Sequence, residues 1–130
     1  MSTVRKLDDA DFDAVVLASP IPVVVDFYAD WCGPCKAIAP VLDALSTALE
    51  GRLSIVKVNA DNSPGIATRY GVRGLPTLAF FEGGQMVAMK TGAVSRGVVE
   101  TWIAGGSGEA GARQGATVLD LASPWRRGRV

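Results

Sequence analysis

The run Val23-Val24-Val25-Asp26-Phe27-Tyr28 is almost wholly apolar, with no alternation of polar positions. A strand with that pattern is covered on both faces, as in the middle of a parallel sheet. Leu53 to Val58 predicts another strand. Between the two, Ile38, Val41, Leu42, Leu45 and Leu49 recur at the i, i+3, i+4, i+7 spacing of a helix over 34–49. Pro40 lies inside it and predicts a kink rather than a break. Upstream, Phe12, Val15 and Val16 follow Asp8, an N-cap candidate with Asp11 three residues on, which predicts a first amphipathic helix over 8–17. A short strand over 3–6 precedes it, and Ser19-Pro20-Ile21-Pro22 ends it. Downstream, Ser63-Pro64 opens a short helix towards Tyr70. Pro76 to Glu82 and Gln85 to Thr91 form a hairpin about Gly83-Gly84, and Ser95 caps a last helix through Val98, Val99, Trp102 and Ile103. Strands alternating with helices and closed by a hairpin predict an α/β domain. Its mixed central sheet has four to five strands, flanked by helices on both faces.

After Ala104 the pattern stops. Gly105-Gly106-Ser107-Gly108-Glu109-Ala110-Gly111 has the composition of a flexible linker, and high flexibility is expected from Gly105 to Gly115. The expected organisation is therefore one domain over 1–104 and a Gly-rich linker and tail over 105–130, with no internal repeat. Beyond the linker, Val118, Leu121, Ala122 and Trp125 fall at helical spacing ahead of Arg126, Arg127 and Arg129. Two readings stand: a disordered end, or a short amphipathic segment that docks on the body, a partner or an anionic surface. Pro124 limits the length of any such helix.

Composition narrows the chemistry. Thirteen basic and thirteen acidic residues leave no net charge, so nothing draws in nucleic acid or an acidic membrane. There is no histidine. That removes histidine acid–base catalysis, Ser-His and Cys-His nucleophile pairs, and histidine metal sites. The N-terminus lacks the apolar segment of a secretory signal, and no apolar run approaches the ~20 residues of a membrane span. A cytoplasmic location is expected, where a close cysteine pair is more often catalytic or metal-binding than a structural staple.

The two cysteines, Cys32 and Cys35, stand where the buried strand gives way to the helix. Residues i and i+3 share a helix face, so their Cα atoms reach the separation a disulfide needs. Cys32 would sit at the helix N-cap, where unpaired N–H groups and the positive end of the dipole stabilise a thiolate. Cys35 would sit a turn inside, more buried and less acidic. Cys32 is then the nucleophile, and Cys35 resolves the mixed disulfide by attacking back. Pro34 costs the first helical turn little, and Gly33 lets another backbone approach. A metal site would need four ligands against two cysteines here, so only a site shared across a dimer stays open. A structural disulfide closing so small a loop would constrain the unfolded chain very little. Asp26 interrupts an apolar run: it either points out at a strand end or is buried with a raised pKa. Lys57, in the neighbouring strand, either pairs with it or lies exposed.

The segment Val25 to Lys36, with Trp31-Cys32-Gly33-Pro34-Cys35 at its centre, resembles the active-site segment of the thioredoxin family. Gly74-Leu75-Pro76-Thr77-Leu78 and Lys90-Thr91-Gly92-Ala93 resemble its two other signature stretches, and the likeness runs from about Val4 to Ile103. The resemblance implies the thioredoxin fold and reduction of protein disulfides through a reversible Cys32–Cys35 disulfide. It implies that Asp26 passes protons to and from Cys35, with Lys57 modulating it. It also implies a cis Pro76 against the cysteines, and redox tuning by Gly33 and Pro34. Trp31, Leu75, Pro76, Gly92 and Ala93 would form the substrate contact surface, although Trp31 alone could be mere packing. No bound cofactor and no metal is expected. Electrons would come from NADPH through a flavin-containing thioredoxin reductase, and a monomer is expected. Tyr28 departs from the family's usual tryptophan, and the tail from Gly105 has no counterpart. Two further readings are a binding module with dispensable cysteines, and an oxidase or isomerase of an oxidising compartment.

Overall fold

Five strands form one sheet: β1 (Arg5–Leu7), β2 (Val23–Tyr28), β3 (Ser54–Asn59), β4 (Thr77–Glu82) and β5 (Gln85–Thr91). The computed structural model describes residues 4–92 and 94–105. It also describes the backbone of 122–123 and 126–127. The chain divides into two units, 1–93 and 94–130.

In the first unit the strand order is β1-β3-β2-β4-β5, with β1 and β2 parallel to β3 and the remaining pairs antiparallel. β2 is therefore central, and Val23 to Phe27 are all buried, as its almost wholly apolar run predicts. Side chains alternate between faces along a strand. Val23, Val25 and Phe27 join Val56, Val58, Ala79 and Phe81 in one cluster, closed by Leu7, Phe12, Val16 and Ile66. Phe12, Tyr70 and Phe81 meet there with ring centroids 5.1–5.7 Å apart. Val24, Asp26 and Tyr28 face the other way. α1 (Gly33–Ala48) follows β2 and runs without interruption across Pro40, burying Cys35, Ile38, Leu42 and Ser46. α2 (Pro64–Arg69) begins at the expected proline, but Ser63 holds the cap position without a capping hydrogen bond. The expected α/β architecture, a mixed sheet flanked by helices, is present.

The first predicted helix takes a different form. Asp8 Oδ1 accepts from the N–H groups of Ala10 and Asp11, as a cap should, but Asp13–Leu17 is a π-helical turn. Val15 and Val16 are β-branched and favour α geometry weakly. The wider turn still directs both Phe12 and Val16 into the core.

In the second unit, α3 (Arg96–Ala104) is capped by Ser95, whose Oγ accepts from Val98 N–H at 3.3 Å, and buries Val99, Trp102 and Ile103. β6 (Ala122–Ser123) pairs antiparallel with β7 (Arg126–Arg127). The helical spacing read at Ala122 is thus replaced by extended backbone, consistent with Pro124 between the strands denying a helix its N–H. The flexibility expected from Gly105 to Gly115 falls, after Gly105, on residues outside those described. Among the described residues no helix is long and apolar enough to cross a membrane.

Candidate active site

Cys32 ends the β2–α1 connection as the N-cap of α1, in extended conformation, and its Sγ accepts the N–H of Cys35 at 3.2 Å. A sulfur placed there meets an unpaired backbone donor and the positive end of the helix dipole, both of which favour a thiolate. Cys32 and Cys35 form a disulfide with their Cα atoms 5.3 Å apart. Pro34 occupies the first turn, where its missing N–H has no intrahelical partner. Burial does not separate the cysteines as expected: Cys32 is 3% and Cys35 4% exposed. The asymmetry lies in the cap position instead. Since Sγ of Cys32 receives the helix N–H, its thiolate is the better stabilised of the two.

The pair sits in a small apolar cluster with Ala29, against which Tyr28 and Leu75 pack. Leu75–Pro76 is a cis peptide bond, as the resemblance implies. The loop carrying it is tied to the end of β5. Gly92 N–H donates to the Pro76 carbonyl at 2.9 Å, Thr77 Oγ1 donates to the Gly74 carbonyl at 2.6 Å, and the Thr77 and Thr91 hydroxyls meet at 3.2 Å. Leu75, Pro76 and Gly92, distant in sequence from the cysteines, are thereby gathered on one loop system whose Leu75 packs against their cluster. Ala93 lies outside the described residues. Trp31 is 71% exposed, which removes the alternative of a packing residue.

Asp26 is buried, and its Oδ1 has no hydrogen-bond partner. The alternative of a carboxylate pointing out at a strand end is therefore excluded. Burial in apolar surroundings pushes its pKa up to about 7, partly opposed by the positive charge of Lys57. Lys57 is its register partner on β3 and is half-buried, with its ammonium 5.4 Å from the centre of the Tyr28 ring. Gly33 and Pro34 are exposed between the cysteines.

Two contributors escaped the sequence reading. Asp61 Oδ2 accepts the Trp31 indole N–H at 2.8 Å. Asn59 Oδ1 accepts the N–H groups of Asp61 and Asn62, fixing the turn that presents Asp61. The run Asn59-Ala60-Asp61-Asn62 at a strand end carries the composition of such a turn, but nothing local says which side chain it meets.

The family model for thioredoxin matches residues 3–105. Thioredoxin 1 of Nostoc sp. is 48% identical over 96 residues, 74% of this chain and 90% of its own length. Thioredoxin of Synechocystis sp. is 49% identical over the same shares. The chloroplastic M-type thioredoxin of Spinacia oleracea is 45% identical over 93 residues, 72% of this chain and 51% of its own.

Proposed function

This chain belongs to the thioredoxin family and is a dithiol–disulfide oxidoreductase with a redox-active cysteine pair, and from that premise we propose that it reduces disulfides in other proteins. One observation carries the assignment of roles: Cys32 Sγ lies at the N-cap of α1 and accepts the N–H of Cys35. In the reduced protein the Cys32 thiolate attacks a substrate disulfide, and one substrate thiolate leaves. Cys35 then loses its proton to Asp26 and attacks Cys32 Sγ. The second substrate thiolate leaves, two electrons have passed to the substrate, and the Cys32–Cys35 disulfide remains. The support for Asp26 as proton acceptor is its burial, its pKa near 7 and its place on the face of β2 that it shares with Tyr28.

Trp31, Leu75, Pro76, Gly92 and Ala93 make the substrate surface. Gly33 and Pro34 set the potential, and Lys57 tempers the Asp26 pKa. A flavin-containing thioredoxin reductase drawing on NADPH returns the two electrons, and the chain itself holds no cofactor. It acts as a cytoplasmic monomer. Its catalytic domain spans 1–104 and its tail 105–130, which the end of the family match at residue 105 supports.

The test is the reduction potential of the pair, titrated against a thiol redox buffer and followed by tryptophan fluorescence. A value below that of the cytosolic glutathione pool, about −220 to −260 mV by extraction, is expected of a reductase. A value near that of the strong oxidases, about −120 mV, would overturn the reductive direction.

A further inference from the structure

A single row across the sheet carries three lysines and one buried carboxyl. The register sets Lys6 beside Lys57, Lys57 beside Asp26, Asp26 beside Leu78, and Leu78 beside Lys90. Partners in register point to one face, and adjacent strands lie about 5 Å apart, so Lys57 is the immediate cationic neighbour of Asp26. A lysine in register beside an ionised carboxylate can reach and pair with it. Lys57 does not. Its ammonium makes no ion pair with Asp26, whose Oδ1 has no partner. The Lys57 Nζ stands over the Tyr28 ring, 5.4 Å from its centroid, within the range in which a ring face attracts a cation. Tyr28 is two residues from Asp26 on the same strand, hence on the same face. Tyr28 also packs against the cluster of Ala29, Cys32 and Cys35, so one residue adjoins both the redox pair's cluster and the lysine.

We propose that Tyr28 is a positioning residue for the redox reaction: its ring holds the Lys57 ammonium off the Asp26 carboxyl, leaving Asp26 able to keep and exchange a proton. This rests on the proton-transfer role of Asp26 proposed above. The physical basis is a competition for one cation. While Asp26 is protonated it offers the ammonium little, and the negative face of the ring wins. When Asp26 ionises in its buried site, the ring limits how far the lysine moves to compensate it. The other charged groups of that row are Lys6 of β1 and Lys90 of β5; α1 buries Cys35, Ile38, Leu42 and Ser46, of which only Cys35, when reduced, titrates. β4 contributes only Leu78 in register.

The experiment reads the Asp26 titration in the reduced full-length protein, from the pH dependence of its carboxyl carbon resonance. Tyr28→Leu should lower the midpoint by about one pH unit, the size expected when an opposite charge closes to ion-pair distance. Tyr28→Phe keeps the ring face and should leave the midpoint in place. In a Lys57→Met background Tyr28→Leu should have no further effect. Tyr28→Met fills the site without a ring and serves the same purpose should Tyr28→Leu not fold. A midpoint that stays or rises without the ring overturns the proposal. So does an equal fall in the Lys57→Met background, since water admitted by the missing ring would then be the cause. If the midpoint falls as stated but disulfide reduction keeps its pH profile, Tyr28 acts as proposed and the proton-transfer role of Asp26 is what fails.

Discussion

A carboxyl whose pKa is raised from 3.8 to about 7 makes stability depend on pH in one direction. Between those values the folded state binds more protons at Asp26 than the unfolded state, so stability falls as pH rises through that window. Below about pH 4 both states hold the proton and the effect vanishes. The gap in unfolding free energy between Asp26→Asn and the parent should therefore shift in favour of the variant, by about 4 kcal/mol from pH 4 to pH 8. Urea unfolding at a series of pH values measures it, and a flat gap would mean that Asp26 ionises normally. The same variant should reduce disulfides roughly tenfold more slowly at pH 7, less than the roughly 10²–10⁴-fold typical of a lost general base, because water can take the proton instead. The cysteine roles make a separate prediction. Cys35→Ser should accumulate a covalent adduct with a substrate disulfide that dithiothreitol releases, whereas Cys32→Ser should form none; mass spectrometry distinguishes them. Much of this site was legible before the structure, because its signals are local. Two cysteines at i, i+3 and a carboxylate inside an apolar run each violate what packing alone would choose. The contact of Trp31 with Asp61 was not legible, since it joins residues thirty positions apart. Nor was the place of the Lys57 ammonium over Tyr28, which depends on strand register.

Elements were predicted where the hydrophobic period was long or the punctuation strong. The five strands and three α-helices fall within a residue or two of their expected ends, since buried strands and an apolar helical stripe leave few alternative registers. Asp13–Leu17 became a π-helical turn because a short segment with two adjacent valines has little preference of its own, and the core chose the geometry. The β4–β5 turn shows punctuation acting at close range. Gly83 has φ 62° and Gly84 φ 82°, the left-handed conformation at both central positions that a tight hairpin requires. At Gly84 a Cβ would also stand 3.0 Å from the Leu17 carbonyl oxygen, so the hairpin tip closes on the end of the π-helical turn. At Gly83 a Cβ meets nothing within 4 Å. Gly84→Ala should thus cost about 1–3 kcal/mol, from left-handed strain together with the close contact. Gly83→Asn should cost a few tenths at most, asparagine being at ease in that conformation. Thermal unfolding of the two variants side by side checks the difference, and equal losses would rule out the Leu17 contact as its cause.

The neutrality of the whole chain is a property of its two parts taken together. Residues 106–130 hold four arginines, Arg113, Arg126, Arg127 and Arg129, against Glu109 and Asp120. The remaining 1–105 therefore carries nine basic and eleven acidic residues, a formal charge of −2. Every group assigned to the chemistry, from Asp26 to Ala93, lies in that acidic part, and the family match ends with it at residue 105. If the tail took part in electron transfer, its removal would alter the potential or the rate. If it only balances charge, removal changes electrostatics and little else. The net charge of +2 lost with the tail would act through water, where charges are screened beyond about 8 Å at physiological salt. A chain ending at residue 105 should then keep the redox midpoint and the rate constant towards an uncharged disulfide, while its isoelectric point falls below 6.2. Tryptophan emission reports this cleanly, because Trp125 leaves with the tail while Trp31, beside Cys32, and Trp102 stay. The redox-dependent change in emission should persist on a lower constant background. A shifted midpoint would show instead that the tail reaches the cysteine pair, and adding salt would tell whether its arginines are responsible, since a charge effect weakens with ionic strength and a packing contact does not.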